Sequence, residues 1–293
     1  MNNLTGKIIK GIGGFYYVKT CEGIVECRAR GNFRKKDILP YVGDDVAISA
    51  EDDGTGYVLE IKERKNRFIR PPISNIDKMV IVVALRDPAP DFLFIDKLLV
   101  TAEHNNVEAA VCFNKADICE NFREYVETYE NAGYKVFVTS AKDNWGVDEV
   151  RNYMKNSVTA VCGFSGVGKS SLLNAITCSD SFAVGDISTK LSRGKHTTRH
   201  VELYEYGENS YIADTPGFSM LSLNENIDSA ELIECFPDLQ QYVGECRFAD
   251  CSHVNNRFCG VCKALDNKLI SKTRYDNYCY LYNTLSDNKE WKK

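Results

Sequence analysis

Residues 163–171 read GFSGVGKSS, and Gly163, Gly168, Lys169 and Ser170 complete the pattern G-x-x-x-x-G-K-[ST]. An apolar run, SVTAVCGF, leads into this stretch and an amphipathic one, SSLLNAITC, leads out of it. The spacing therefore predicts a strand, a tight loop and a helix start, the context in which such a loop cradles phosphates. This constrains the fold more than anything else in the chain, because the loop works at the carboxyl end of a strand in an α/β sheet. The backbone of Gly163, Phe164, Ser165, Gly166, Val167, Gly168, Lys169, Ser170 and Ser171 would turn its N–H groups toward the phosphates, aided by the positive helix end. Lys169 would reach the β- and γ-phosphates, and the Ser170 hydroxyl would serve Mg²⁺.

A matching half lies downstream. In IADTPG, 212–217, an apolar strand delivers Asp214, a carboxylate suited to hold Mg²⁺ through a water, and the Gly217 N–H can meet a γ-phosphate. Between the two loops lies GKHTTRH, 194–200, where a threonine is needed to complete the Mg²⁺ shell. Thr198 is favoured over Thr197 because it directly precedes Arg199. Phe218 stands where a familiar nucleotide hydrolase carries a water-orienting glutamine, so intrinsic hydrolysis is expected to be slow. His196 is the nearest group able to hydrogen-bond a water, and a loop histidine without a catalytic role is the alternative.

The base-reading signals come earlier in the chain. NKAD, 114–117, follows the apolar run VEAAVCF, and VTSAK, 138–142, ends another. A carboxylate at Asp117 can accept from both the N1–H and the exocyclic amine of guanine. Asn114 would tie its loop to its neighbours, and Lys115 would pack its stem over the purine. Ser140, Ala141 and Lys142 form the segment whose backbone N–H meets guanine O6. Two such loops, both on strand ends and both ahead of the phosphate loop, imply a GTP/GDP site in a circularly permuted domain. Ligands bind outside the carboxyl ends of the strands, so the permutation leaves the same loops around one crevice. It also makes the Asp214–Gly217 loop lead straight into the C-terminal segment. Loss of the γ-phosphate is therefore expected to reorient that segment.

A chain of 293 residues allows two or three domains. Residues 1–67 hold short β-type runs, GFYYVKT, IVECRAR, DDVAISA and GYVLEIKE, split by turn residues, which suggests a small antiparallel barrel of the OB type. RARGNFRKK at 28–36 concentrates five cations there, either as an RNA-touching loop or as a solvated hairpin loop. Residues 68–218 alternate buried-type strands with helical segments and predict a parallel sheet with helices on both faces. Residues 219–293 read as a mostly helical third domain, with DSAELIECF helical and a long helix from about Lys263 to Leu285. A net charge of −5 argues against a general polyanion binder. The longest apolar run, MVIVVAL, is too short to span a bilayer, and the N-terminus lacks the apolar stretch of a signal peptide, so a cytoplasmic location away from membranes is expected. No heptad seam argues for a dimer, and a monomer is the expectation.

In such a compartment the 12 cysteines stay reduced, and a Cys/His cluster invites a metal reading. Cys246, Cys251, His253 and Cys259 fall in C-x₄-C-x-H-x₅-C, with Cys262 a further candidate. Three thiolates and an imidazole close a tetrahedral Zn²⁺ site with no open position, which makes one structural zinc the expectation.

The barrel with VGDDV at 42–46, followed by NKAD, TSAK, GFSGVGKSSLLN, GKHTTR, DTPGF and the cysteine spacing in that order, resembles the RsgA family, also called YjeQ or YloQ, over essentially the whole chain. Members commonly carry Arg-His-Thr-Thr where this chain has Lys195-His196-Thr197-Thr198. The resemblance implies a GTPase acting late in assembly of the bacterial small ribosomal subunit, stimulated by that subunit, with barrel and zinc domain touching rRNA. A second reading keeps GTP as a conformational gate on an RNA-binding scaffold, with incidental hydrolysis. A third, an ATP-dependent P-loop enzyme with a thiol cluster, requires both base motifs to be accidental.

Overall fold

The computed structural model of the chain describes residues 2–30, 33, 39–51, 53–179, 182, 201–214 and 227–290. Five strands open it: β1 (Asn2–Ile12), β2 (Phe15–Thr20), β3 (Gly23–Ala29), β4 (Asp45–Ala50) and β5 (Thr55–Ile61). β1 pairs antiparallel with β2 and with β4, β2 with β3, β4 with β5, and β3 runs parallel to β5. The sheet thus closes on itself as a five-stranded barrel of the OB type. Ile8, Val18, Val25, Cys27, Val46, Ile48 and Val58, alternating along their strands, fill its interior. The fifth strand, β1, is missing from the β-type runs of the sequence, because its lysines and its two glycines at 6 and 11 dilute the alternation.

A buried carboxylate fastens the barrel to the hairpin that precedes the α/β domain. Asp44 is fully buried, and four donors surround it. Arg64 Nε and Nη2 and the Tyr41 N–H each lie at 2.7 Å, and the Ser74 hydroxyl lies at 2.6 Å. A buried charge is costly unless it is paired and hydrogen-bonded, and here both conditions are met. Ser74 belongs to β7 (Ile73–Ser74), which pairs with β6 (Arg67–Phe68).

The middle of the chain alternates as β8 (Lys78–Ala84), α1 (Phe92–His104), β9 (Glu108–Asn114), α2 (Arg123–Glu130), β10 (Lys135–Val138), α3 (Val147–Tyr153), β11 (Val158–Cys162), α4 (Lys169–Thr177), β12 (Glu202–Gly207) and β13 (Ser210–Asp214). The strands stand in the order β10-β9-β8-β11-β13-β12. All neighbours are parallel except β12 and β13. The expected all-parallel sheet gains this exception because the tight turn after Gly207 can join only antiparallel strands. β12 also meets β1 at Lys10 and Glu202, so barrel and domain share one 11-stranded sheet.

Strand residues alternate between two cores. Met79, Ile81 and Val83 face α1 and α2, with Ile95, Leu98, Leu99 and Tyr129; Val80, Val82 and Ala84 face α3 and α4, with Val150, Met154, Leu172 and Ile176. Helices therefore cover both faces.

The last segment holds a 3₁₀ turn (Leu232–Cys235), α5 (Pro237–Gln240), α6 (Gly260–Asp266) and α7 (Lys272–Glu290). Leu232, Phe236, Leu239, Val261, Tyr278 and Leu281 form its core. The helix expected across 263–285 is interrupted, because Lys268 takes a left-handed φ of 58° and reverses the chain between α6 and α7. The stretch DSAELIECF tightens to a single 3₁₀ turn before Pro237, which starts α5. Among the described residues, no helix is long and apolar enough to cross a membrane.

Candidate functional site

The phosphate-type loop lies between the end of β11 and the start of α4, as expected from its flanking patterns. Gly168, the residue before the helix, has φ of 92°, and a Cβ there would stand 2.4 Å from Asn114 Nδ2. Glycine is needed twice over at this position, for conformation and for space. At Gly163, φ is 147° and a Cβ would stand 2.3 Å from the Val82 carbonyl oxygen of the adjacent strand. Lys169 donates to the Gly163 and Phe164 carbonyls at 2.8 and 2.6 Å, which holds its ammonium over the loop. Ser165 and Gly166 are exposed, Val167 is buried beneath, and Ser170 and Ser171 sit half-buried in the first turn of α4.

Asn114, 1% exposed, ends β9 at the NKAD loop, and its side chain reaches two further loops. Its Nδ2 donates to the Val167 carbonyl of the phosphate loop at 3.0 Å. Its Oδ1 accepts from the Thr139 hydroxyl at 3.1 Å and from the Ala141 N–H at 3.2 Å. The NKAD loop, the TSAK loop and the phosphate loop are thus joined through one amide. Thr139 escaped sequence reasoning although it stands directly before Ser140. Burial beside Asn114 pushes the Cys112 thiol up to about 12, opposed by the Thr139 hydroxyl 3.5 Å away.

Lys115 takes a left-handed φ of 65° and its ammonium donates to the Asp87 carbonyl in the loop after β8. Asp117 accepts from the Ser140 hydroxyl at 3.1 Å and lies 3.8 Å from the Lys142 ammonium. The carboxylate therefore stands beside the TSAK loop, as a shared base pocket requires. Asp214 closes β13. The side chain of Asp214, and all of His196, Thr197, Thr198, Gly217 and Phe218, lie outside the described residues, so the magnesium set is represented here by Ser170 alone.

The ligand atoms of Cys246, Cys251, His253 and Cys259 all lie within 4.8 Å of one another. Cys246 Sγ is 3.8 Å from Cys259 Sγ and 3.4 Å from His253 Nδ1, and Cys259 Sγ is 3.5 Å from that nitrogen. Atoms held at about 2.3 Å (sulfur) and 2.0 Å (nitrogen) on a tetrahedral zinc stand about 3.5–3.8 Å apart, so the cluster fits the ion. Burial keeps His253 below its usual pKa and so favours the neutral, ligating imidazole. The Gly260 N–H points at Cys246 Sγ at 3.3 Å, and Asn256 Nδ2 at Cys251 Sγ at 3.8 Å, two outer partners that the spacing did not reveal. Cys262 is not one of these four, and its Sγ lies 3.3 Å from the Tyr275 hydroxyl.

Two exposed surfaces pair arginine with aromatic rings. On the barrel, Arg28 lies 4.6 Å over Phe15 and is in register with Tyr57. Beside the cysteine cluster, Arg247 lies 5.0 Å over Phe258 and 5.7 Å over Phe248, and lines a cavity with Arg257, Lys263, Glu245 and Asp266. Of the basic run at 28–36, Gly31, Asn32 and residues 34–36 lie outside the described residues.

The family model for the RsgA GTPase matches residues 61–224, and that for the RsgA N-terminal domain matches residues 5–58. The chain is 43% identical over 277 residues to the small ribosomal subunit biogenesis GTPase RsgA of Clostridium beijerinckii, covering 94% of this chain and 95% of that one. It is 40% identical over 292 residues to the protein of the same name from Caldanaerobacter subterraneus, covering 99% and 98%. Two solved structures are similar: YjeQ from Thermotoga maritima, with a TM-score of 0.84 and 32% identity over 97% of this chain and 99% of that one, and YloQ, a circularly permuted GTPase, with 0.81 and 35% over 98% and 96%.

Proposed function

The chain belongs to the RsgA family of GTPases, and from that premise we propose that it hydrolyses GTP as a late checkpoint in maturation of the small ribosomal subunit, which stimulates its turnover. The observation that carries this reading is the Asn114 amide, which couples both base loops to the phosphate loop.

In this reading Asp117 accepts from guanine N1–H and the exocyclic amine, Lys115 packs over the purine, and the Ser140-Ala141-Lys142 backbone meets O6. The backbone from Gly163 to Ser171 cradles the phosphates, and Lys169 turns from its loop carbonyls toward the β- and γ-phosphates. Ser170, Thr198 and Asp214 would hold Mg²⁺, which neutralises charge developing on the phosphate oxygens. The Gly217 N–H senses the γ-phosphate, and His196 orients the attacking water in place of the absent glutamine. Cys246, Cys251, His253 and Cys259 hold one structural zinc.

The arginine-aromatic surfaces at Arg28 and Arg247 support contact with rRNA, since unpaired bases stack on rings while guanidinium groups meet phosphates. We divide the chain into a barrel at 1–67, a GTPase domain at 68–218 and a zinc-binding domain at 219–293, and take the protein as a cytoplasmic monomer.

The test is GTP turnover by the zinc-loaded protein with and without purified small subunits, with large subunits and ATP as controls. Stimulation by the small subunit alone is the expected result. Unchanged slow turnover despite tight GTP-dependent binding would favour the scaffold reading that Phe218 raises.

A further inference from the structure

Helix α1 touches two parts of the molecule that the sequence keeps far apart. In its first turn the Phe94 ring stacks on Phe164 of the phosphate loop, with centroids 3.9 Å apart and planes 28° apart. Two residues on, the fully buried Asp96 accepts from Nη1 of the fully buried Arg274 on α7 at 2.7 Å. Asn277, one turn along α7, donates to the other Asp96 oxygen at 2.6 Å. Arg274 also grips Asp238 of α5, through Nε at 3.1 Å and Nη2 at 2.6 Å, and lies 4.6 Å over the Phe236 ring.

These contacts divide the helix by face. Leu93, Asp96, Lys97 and Val100 recur at helical spacing, and all four meet the C-terminal segment: Leu93 and Val100 pack in its core, and the Lys97 ammonium lies 5.9 Å over the Tyr280 ring. Ile95, Leu98, Leu99 and Ala102 belong instead to the core beneath the sheet. Replacing a buried ion group by well-packed apolar residues is often neutral, so stability alone gives little reason for the Asp96–Arg274–Asp238 arrangement. What it does supply is orientation, because a two-pronged guanidinium fixes the angle at which its carboxylates approach.

Phe94 and Asp96 are about 3 Å apart along the helix axis at about 1.5 Å per residue. A tilt of α7 that moves Asp96 therefore moves Phe94 with it, and a misplacement of about 1 Å at a reacting centre can change a rate by roughly 100-fold. We propose that Phe94, Asp96 and Arg274 are positioning residues that join the C-terminal segment to the phosphate loop through α1. The joint is built from residues other than the Asp214–Gly217 segment, and carries to Phe164 the engagement of whatever the C-terminal segment binds. The identity of that partner as the small subunit rests on the function proposed above; the joint itself does not.

A double-mutant cycle on the release of a fluorescent GDP analogue from the full-length, zinc-loaded protein tests the joint without any partner. The variants are Phe94→Ala, Asp96→Asn and the pair, with Asn277→Ala as a gentler substitute on the α7 side should Asp96→Asn fail to fold. Coupled groups in one network depart from additivity by about twofold to 100-fold, and a departure in that range is expected here. Phe94→Tyr, which keeps the stack, should restore the wild-type release rate. Additive effects within error, or a Phe94→Ala release rate equal to wild type, would overturn the proposal. A second arm measures the ratio of subunit-stimulated to unstimulated turnover. Phe94→Ala should lower that ratio about fivefold or more while subunit affinity stays unchanged. A wild-type protein that no subunit stimulates would refute the function proposed above and leave the release cycle to decide the joint.

Discussion

Replacing Asn114 with alanine removes three hydrogen bonds at once: to the Val167 carbonyl, from the Thr139 hydroxyl and from the Ala141 N–H. Each is worth about 0.5–1.5 kcal/mol net, so together they contribute roughly 1.5–4.5 kcal/mol. In a domain of this size 1 kcal/mol corresponds to about 2–4 °C of melting temperature, which places the expected drop at roughly 3–18 °C. Because the three contacts exist without nucleotide, the loss should register on the free protein by calorimetry. A weakened affinity for a fluorescent GDP should accompany it as the loops drift apart. Asn114→Asp sharpens the case: it keeps both acceptor contacts but sets a buried carboxylate against the Val167 carbonyl. It should be at least as destabilising as alanine, since an uncompensated buried charge costs about 3–5 kcal/mol. A melting temperature within a degree or two of wild type for Asn114→Ala would show that the amide does not hold the loops together.

The same geometry sets three further outcomes. With the zinc proposed above bound, Cys259→Ala should lower the zinc content measured by atomic emission and loosen the packing of α6 and α7 seen by near-ultraviolet dichroism. In the guanine pocket proposed above, Asp117→Asn should weaken GTP by about 100-fold or more, one charged acceptor becoming an NH₂ donor, and should favour xanthosine triphosphate in competition. Cys112 is raised by burial from 9.0 to about 12, so the native state keeps a proton that the unfolded chain releases above pH 9. That contribution is whole below pH 9 and is lost as the pH rises toward 12, by about 1.4 kcal/mol per unit. Urea midpoints taken at pH 8 and pH 10 should fall, and fall less in Cys112→Ala.

Contiguous motifs were legible in the sequence because their chemistry is local. The phosphate loop, NKAD and TSAK each sit within a few residues and lie where their flanking patterns predicted an element end, and the cysteine spacing brings its four ligand atoms together. The Asn114 hub was half legible: a tie to neighbouring loops was expected, but Thr139 reads as one more residue of an apolar strand. Arg274 and Asp96 were not legible at all, since 178 positions separate them and a lone arginine in a helix normally points to water. The break between α6 and α7 gave no glycine or proline to mark it; Lys268 carries the left-handed turn. The strand β12 was hidden because ELYEYG alternates with charges, as suits a strand paired only briefly with the barrel.

The strand order β10-β9-β8-β11-β13-β12 splits the sheet into two contiguous halves, 78–138 and 158–214, which meet where β8 pairs with β11. A chain made from its N-terminus finishes the first half, with both base loops, before the phosphate loop exists. The hydrogen bond from Asn114 to Val167 crosses that meeting line, and so must any ligand that touches both sets of loops. During synthesis, then, both base loops are made before the phosphate loop, a crevice that needs both sets of loops is complete only when the later strands arrive, and a ligand that fills it pins the early half to the late one.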